Sequence, residues 1–142
     1  ARAQGCMSYL LDTNIISETI RRNPSKTVIS WLDKIPGEAL FVSVLTLGEI
    51  RKGIEILADR KRREKLRLWL EHELPAWFEA RVLPVDLAVA DRWGRLLAEI
   101  GRPVPTIDTL LAATALHHEL RLVTRNDRDF DYPGLDVINP FR

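Results

Sequence analysis

The feature that most constrains this chain is a short apolar run that stops abruptly at an acid. Tyr9-Leu10-Leu11 is followed at once by Asp12-Thr13-Asn14, and then by the apolar helical pattern of Ile15 and Ile16. A buried strand that delivers a carboxylate to its own C-terminal end reads this way. The pattern recurs. Residues 40–44, 81–85 and 121–124 are short runs of strand type, and Val137-Ile138 forms a last edge strand. Helical periods lie between them. Residues 15–20 form a short helix that stops before Pro24, and residues 25–32 form a second. Leu47, Ile50, Ile54 and Leu57 share a helical face in a helix opened by Thr46-Leu47-Gly48-Glu49. The basic run Arg60-Lys61-Arg62-Arg63 tops that helix or links it to the next, which covers residues 66–74 and is ended by Pro75. Trp93, Leu96, Leu97 and Ile100 lead to a Gly101 cap. Pro103-Val104-Pro105 is an extended connector, and an alanine-rich, buried helix runs from Thr106 to about His118. Strands that alternate with helices predict one α/β layer fold with a mostly parallel sheet.

At 142 residues the chain is one domain that buries roughly two-thirds of its unfolded surface. Its net charge of +1 neither announces nor excludes a nucleic-acid partner, because local patches matter more than the sum. Cys6 is the single cysteine, so no internal disulfide holds the fold and a reducing cytoplasm is expected. No run of about 18 apolar residues is present, so no membrane span is expected. Residues 1–6 lack periodicity and precede Met7. They are expected to be a flexible leader or a cloning remnant, with the domain spanning residues 7–142.

Four acidic places stand at junctions with a helix: Asp12, Glu49, Asp108 and the loop Asn126-Asp127-Arg128-Asp129. A parallel sheet has the C-terminal ends of its strands on one edge, so acids scattered in sequence gather there. Each has a bland alternative. Thr46 and Glu49 have capping-box spacing, worth about 1 kcal/mol. Asp108 gains roughly 0.3–1 kcal/mol from a helix N-terminus. Asp12, Asp127 and Asp129 suit turns. Together, however, convergent carboxylates repel, and a hard divalent cation removes that cost. All-oxygen ligation suits Mg²⁺ or Mn²⁺, and phosphodiester hydrolysis is the chemistry such a site performs. The chain has no glycine-rich phosphate loop and no Cys/His cluster for zinc. His117 and His118 point about 100° apart on a helix and chelate one ion poorly. They are expected at the surface or rim.

Four motifs carry a resemblance. They are Leu10-Leu11-Asp12-Thr13-Asn14-Ile15-Ile16-Ser17; Ser43-Val44-Leu45-Thr46-Leu47-Gly48-Glu49-Ile50-Arg51-Lys52-Gly53; Asp108-Thr109-Leu110-Leu111-Ala112-Ala113-Thr114-Ala115; and Leu122-Val123-Thr124-Arg125-Asn126-Asp127-Arg128-Asp129-Phe130, with a closing Asn139-Pro140-Phe141. In order and spacing the chain from Met7 to Arg142 resembles PIN-domain proteins, specifically VapC-type ribonuclease toxins of bacterial toxin–antitoxin pairs. The resemblance implies a three-layer α/β/α fold with a central parallel sheet, and Mg²⁺- or Mn²⁺-dependent cleavage of RNA, often tRNA or rRNA. It implies that Asp12, Glu49 and Asp108 fill the acidic positions, with Asp12 and Asp108 as direct ligands. The fourth position falls to Asp129 with Asn126 assisting, while Asp127 is a surface residue. Asn14 and Thr124 match polar positions beside the metal. A homodimer, a VapB-like antitoxin lying over the groove, and operator DNA reached only through that antitoxin are also implied.

RNA must be held by its backbone. Arg51, Lys52, Arg125, Arg128 and the basic run beginning at Arg60 are candidates, although a solvated helix end also explains that run. The four tryptophans sit in amphipathic patterns that suit core or dimer packing better than base stacking. Two other classes compete. One is a different metal-dependent phosphoryl enzyme on an α/β sheet: a haloacid-dehalogenase-like phosphatase wants a second aspartate where this chain has Asn14, and a receiver domain wants a lysine at the end of a late strand, which Arg121-Leu122-Val123-Thr124 does not supply. The other alternative is a non-catalytic binding module whose acids are only caps.

Overall fold

The computed structural model of the chain describes residues 7–142, so the expected leader at residues 1–6 lies outside the described residues. Five strands form one sheet: β1 (Tyr9–Leu11), β2 (Leu40–Ser43), β3 (Val82–Leu83), β4 (Arg121–Val123) and β5 (Val137–Ile138). Their order is β3-β2-β1-β4-β5, and every pairing is parallel. The most acid-marked strand, β1, is therefore central. Tyr9, Leu10 and Leu11 pair with Arg121, Leu122 and Val123, which brings Asp12 level with Thr124 at the same edge.

Neighbouring residues of a strand point to opposite faces, and here each face has its own core. Leu11, Leu40, Val42 and Val123 belong to one cluster, whereas Leu10, Leu122 and the partly buried Phe41 belong to the other. That is why the strands read as continuous apolar runs. The first cluster is covered by α1 (Thr13–Glu18), α2 (Lys26–Asp33), α3 (Val44–Glu55), α4 (Arg60–Leu68) and α5 (Leu74–Phe78), which contribute Ile15, Val28, Ile50, Leu66 and Phe78 among others. The second is covered by α6 (Leu87–Ile100) and α7 (Thr106–His117) through Leu96, Leu111, Ala112 and Ala115. The layers are therefore α/β/α, as expected. Among the described residues no helix is long and apolar enough to cross a membrane.

Several local expectations change. Ser43, not Thr46, caps α3 by accepting from the Leu45 N–H. Glu49 therefore lies in the second turn, and no capping box explains it. The basic run does not top α3; it opens α4, whose cap is Asp59. Pro75 does not end a helix. A π-type turn over Trp69–Glu73 resets the hydrogen-bond register, so Pro75 falls in the first turn of α5, where its missing N–H costs nothing. Trp31 meets Tyr9 edge to face, with ring centroids 5.1 Å apart. Trp69 packs on the first core, and Trp93 donates to Thr109. Trp77 is 40% exposed and meets Phe78 with ring centroids 5.0 Å apart. Ser25 and Asp86 cap α2 and α6, and Gly101 closes α6 in the left-handed conformation (φ 67°) that favours glycine.

Candidate active site

Asp12 leaves β1 and caps α1. Its Oδ1 accepts from the Thr13 N–H at 2.7 Å. Its Oδ2 accepts from the Thr124 hydroxyl at 2.8 Å, with Asn14 Nδ2 at 3.4 Å. Asn14 and Thr124 are fixed in turn: Asn14 Oδ1 accepts the Arg125 N–H, and Thr124 Oγ1 accepts the Asn126 N–H, both at 3.0 Å. The carboxylate is thus held by donors on both sides, and it is 8% exposed. Glu49 projects from α3, where the Thr13 hydroxyl donates to its Oε1 at 3.0 Å. Asp108 comes from the first turn of α7, and Asp129 from a 3-10 turn over Asp127–Phe130.

These groups share one cleft of about 240 Å³. Asp12, Thr13, Asn14, Glu49, Asp108, Asn126 and Asp129 form its polar lining, and Ile107, Leu111 and Phe130 its apolar wall. Thr124 stands behind Asp12. Burial raises the Asp12 pKa above the usual carboxylate value, against the hydrogen bonds from Thr124, Thr13 and Asn14. Burial also raises that of Asp108, reinforced by the negative charges of Asp12, Asp129 and Glu49. The cleft thus carries mutual repulsion among oxygen donors, the environment a hard cation relieves. Among the described residues no three His, Cys, Asp or Glu side chains close on a single point as a metal cage. The acids instead border an open cleft.

Asp127 turns away from the cleft. It accepts from Asn139 Nδ2 at 3.1 Å and from Arg142 at 3.2 Å. It is half-buried and ties the loop to the C-terminal residues, rather than being a free surface group. Arg51 is also occupied, bonding Glu71 at 2.8 Å and Glu55 at 3.5 Å. Lys52 and Arg128 are exposed. Neither histidine of the pair, His117 or His118, lines the cleft.

Sequence reasoning passed over Thr13, which orients Glu49, and Glu18. Glu18 is 2% exposed. It accepts from the Ser25 N–H at 2.6 Å and from Arg21 at 3.3 Å, and it lies 3.6 Å from Arg125. The Arg125 guanidinium also covers the Phe141 ring at 4.3 Å. Nothing within Thr13–Glu18 marks its glutamate as buried, because its partners come from other segments.

A family model described as PIN domain matches residues 9–134. The chain belongs to the PIN-domain family. It is 40% identical to the plasmid stability protein StbB of Pseudomonas syringae pv. tomato, with 93% of this chain and 97% of that protein covered. It is 36% identical to VapC ribonuclease Y4jK of Sinorhizobium fredii, covering 93% and 96%. It is 34% identical to toxin FitB of Neisseria gonorrhoeae, covering 93% and 97%. The crystal structure of FitAcB from the same organism superposes with a TM-score of 0.87 at 34% identity, covering 94% of this chain and 99% of that one. PIN-domain nucleases of the VapC type are generally dependent on a divalent metal, in keeping with the donor set of the cleft.

Proposed function

We propose that this PIN-domain chain is a Mg²⁺-dependent endoribonuclease, with Mn²⁺ as a substitute, and the toxin of a bacterial toxin–antitoxin pair. The observation that carries the proposal is one cleft, at the C-terminal edge of a parallel sheet, lined by Asp12, Glu49, Asp108 and Asp129 with two amide side chains. Similarity over 93% of this chain to a VapC ribonuclease and to toxin FitB supports it. A VapB-like antitoxin inhibits the chain in this reading, and operator DNA is met only through that antitoxin. The chain acts as a homodimer in the bacterial cytoplasm on tRNA or rRNA.

Asp12 and Asp108 would hold the ion directly, and Glu49 and Asp129 partly through water. When bound, the ion supplies a more acidic water and stabilises charge at the scissile phosphate. Thr124, Thr13 and Asn14 keep the Asp12 carboxylate in one orientation. Glu49, exposed and tied at Oε1 to Thr13, keeps Oε2 to take a proton from the attacking water. None of the three histidines lines the cleft, so attack by the ribose 2′-OH lacks an imidazole pair. The products expected are a 5′ phosphate and a 3′ hydroxyl.

The test is cleavage of structured RNA by the purified chain in Mg²⁺ and in EDTA. Cleavage that leaves 5′ phosphates and stops in EDTA is expected. Turnover of p-nitrophenyl phosphate without RNA cleavage would instead support the phosphatase alternative, against which Asn14 stands.

Metal and pH are linked through the same acids. An aspartate whose folded pKa is raised destabilises the fold once ionised. That cost is absent below the ordinary carboxylate pKa and grows as pH rises through the raised value. A cation cancels it, so the thermal gain from Mg²⁺ should be larger at pH 7.5 than at pH 5. At about ten times its dissociation constant Mg²⁺ adds about 1.4 kcal/mol, or roughly 3–5 °C for a chain of this size. Thermal scans at the two pH values read this directly. An equal Mg²⁺ gain at both would count against ligation by Asp12 and Asp108.

A further inference from the structure

An RNA strand and a carboxylate cleft are both negative, so cations outside the cleft must hold the substrate. The run Arg60-Lys61-Arg62-Arg63 is the densest choice in sequence, but the topology works against it. Helix α3 begins at the catalytic edge and runs for 12 residues, about 18 Å, before α4 opens beyond its far end. Arg51 and Arg67 on this flank are committed to Glu55, Glu64 and Glu71.

The opposite flank differs. Lys26, Ser30 and Lys34 recur every fourth residue of α2 and its cap, forming a ridge shared by two shallow grooves. Both lysines are exposed and pair with no acid among the described residues. Asp33 is the acid on these linings, and Arg142, which lines the second groove, is paired with Asp127. The second groove is walled by Ile138, Asn139 and Pro140, and it connects to the cleft. Asn139 Nδ2 donates to the Arg125 carbonyl at 2.9 Å. The Arg125 N–H is held by Asn14 Oδ1, and Asn14 touches Asp12. The Arg125 backbone thus links cleft and groove, and its guanidinium, fixed by Phe141 and the buried Glu18, is 49% exposed. A guanidinium pre-set in this way suits a phosphate.

We propose that the RNA strand flanking the scissile phosphate passes over Arg125 and lies along α2, with Lys26 and Lys34 contacting its phosphates. This rests on the ribonuclease reading and gives that site its substrate track. The flank's charge is complementary to a polyanion, and its shallow, open form suits a strand followed by its backbone.

The test measures binding of single-stranded RNA by fluorescence anisotropy. It uses the 142-residue chain carrying Asp12→Asn, so that the probe survives. Adding Lys26→Glu and Lys34→Glu should weaken binding at least ~10-fold at 0.1 M salt. It should also flatten the slope of log affinity against log salt by about 1.4, two contacts at roughly 0.7 each. Lys26→Gln with Lys34→Gln should give the same loss of slope, with circular dichroism unchanged. Lys61→Glu with Arg62→Glu should bind like the parent. Equal binding by the α2 variants, or a loss that follows the α4 variant instead, overturns the track. So does an α2 variant that loses a protein partner while keeping its RNA affinity. Wild-type cleavage is measured in parallel. A chain that cuts RNA while the α2 variants bind normally refutes the track alone, whereas no cleavage with α2-dependent binding refutes the ribonuclease reading and keeps only the contact between α2 and RNA phosphates.

Discussion

Replacing Asp12 or Asp108 with asparagine should lower Mg²⁺-dependent RNA cleavage by about 10²–10³-fold. The basis is charge rather than shape. Asparagine caps a helix about as well as aspartate, so Asp12→Asn can keep the bond from the Thr13 N–H and the start of α1. What disappears is one negative oxygen ligand among the few that the cleft offers. A cation that stabilises a transition state by several kcal/mol and sits more weakly loses about 3–4 kcal/mol of that benefit, which is the stated factor. Asp129→Asn should also lower the rate, because Asp129 shares the cleft. Asp127→Asn should not, since Asp127 faces Asn139 and Arg142 instead. Initial rates on one RNA, with thermal melts to confirm folding, decide the matter. Wild-type rates for Asp12→Asn and Asp108→Asn would remove the metal from the mechanism.

The largest stability effect should come from Phe78→Ala. Phe78 ends α5, is 1% exposed, and fills the first core beside Leu70, Leu74 and Val42. The Arg81 guanidinium lies 5.7 Å from its ring centroid, and Arg81 in turn donates to the carbonyls of Gly37, Leu40 and Trp77. Truncation leaves a void under three segments that cannot collapse together. Changes of this kind cost about 3–5 kcal/mol, or a fall in Tm of roughly 10–20 °C here. Its neighbour gives the contrast. Trp77 is 40% exposed, so Trp77→Ala should cost about 1 kcal/mol or less. Urea or thermal unfolding of the two variants measures both. A Tm within a few degrees of wild type for Phe78→Ala would show that α5 is not anchored as described.

The sequence by itself determined the parts written in adjacent residues. The runs Tyr9–Leu11, Leu40–Ser43 and Arg121–Val123 are apolar on both faces, and that composition specifies a parallel sheet covered on both sides. The caps Ser25, Asp86 and Gly101 act within one turn of their own helices. Asp12 and Asp108 were legible as junction acids because Asp12 directly follows β1 and Asp108 falls in the first turn of α7. Only the tertiary structure decided the rest, because those partners are far apart in the chain. Thr124 reaches Asp12 across 112 positions, and the same β1–β4 pairing that aligns them leaves Asp127 facing Asn139 rather than the acids. Arg51 looked like a free cation beside Lys52, and became half of an ion pair when packing brought Glu71 to 2.8 Å from it. Glu18 is a surface residue by composition and a buried acid in fact, for its hydrogen-bond donors arrive from Ser25 and Arg21 beyond the end of its helix. Local propensity is an energy of neighbours and can be read in order, whereas a site gathers groups that only the folded sheet makes neighbours.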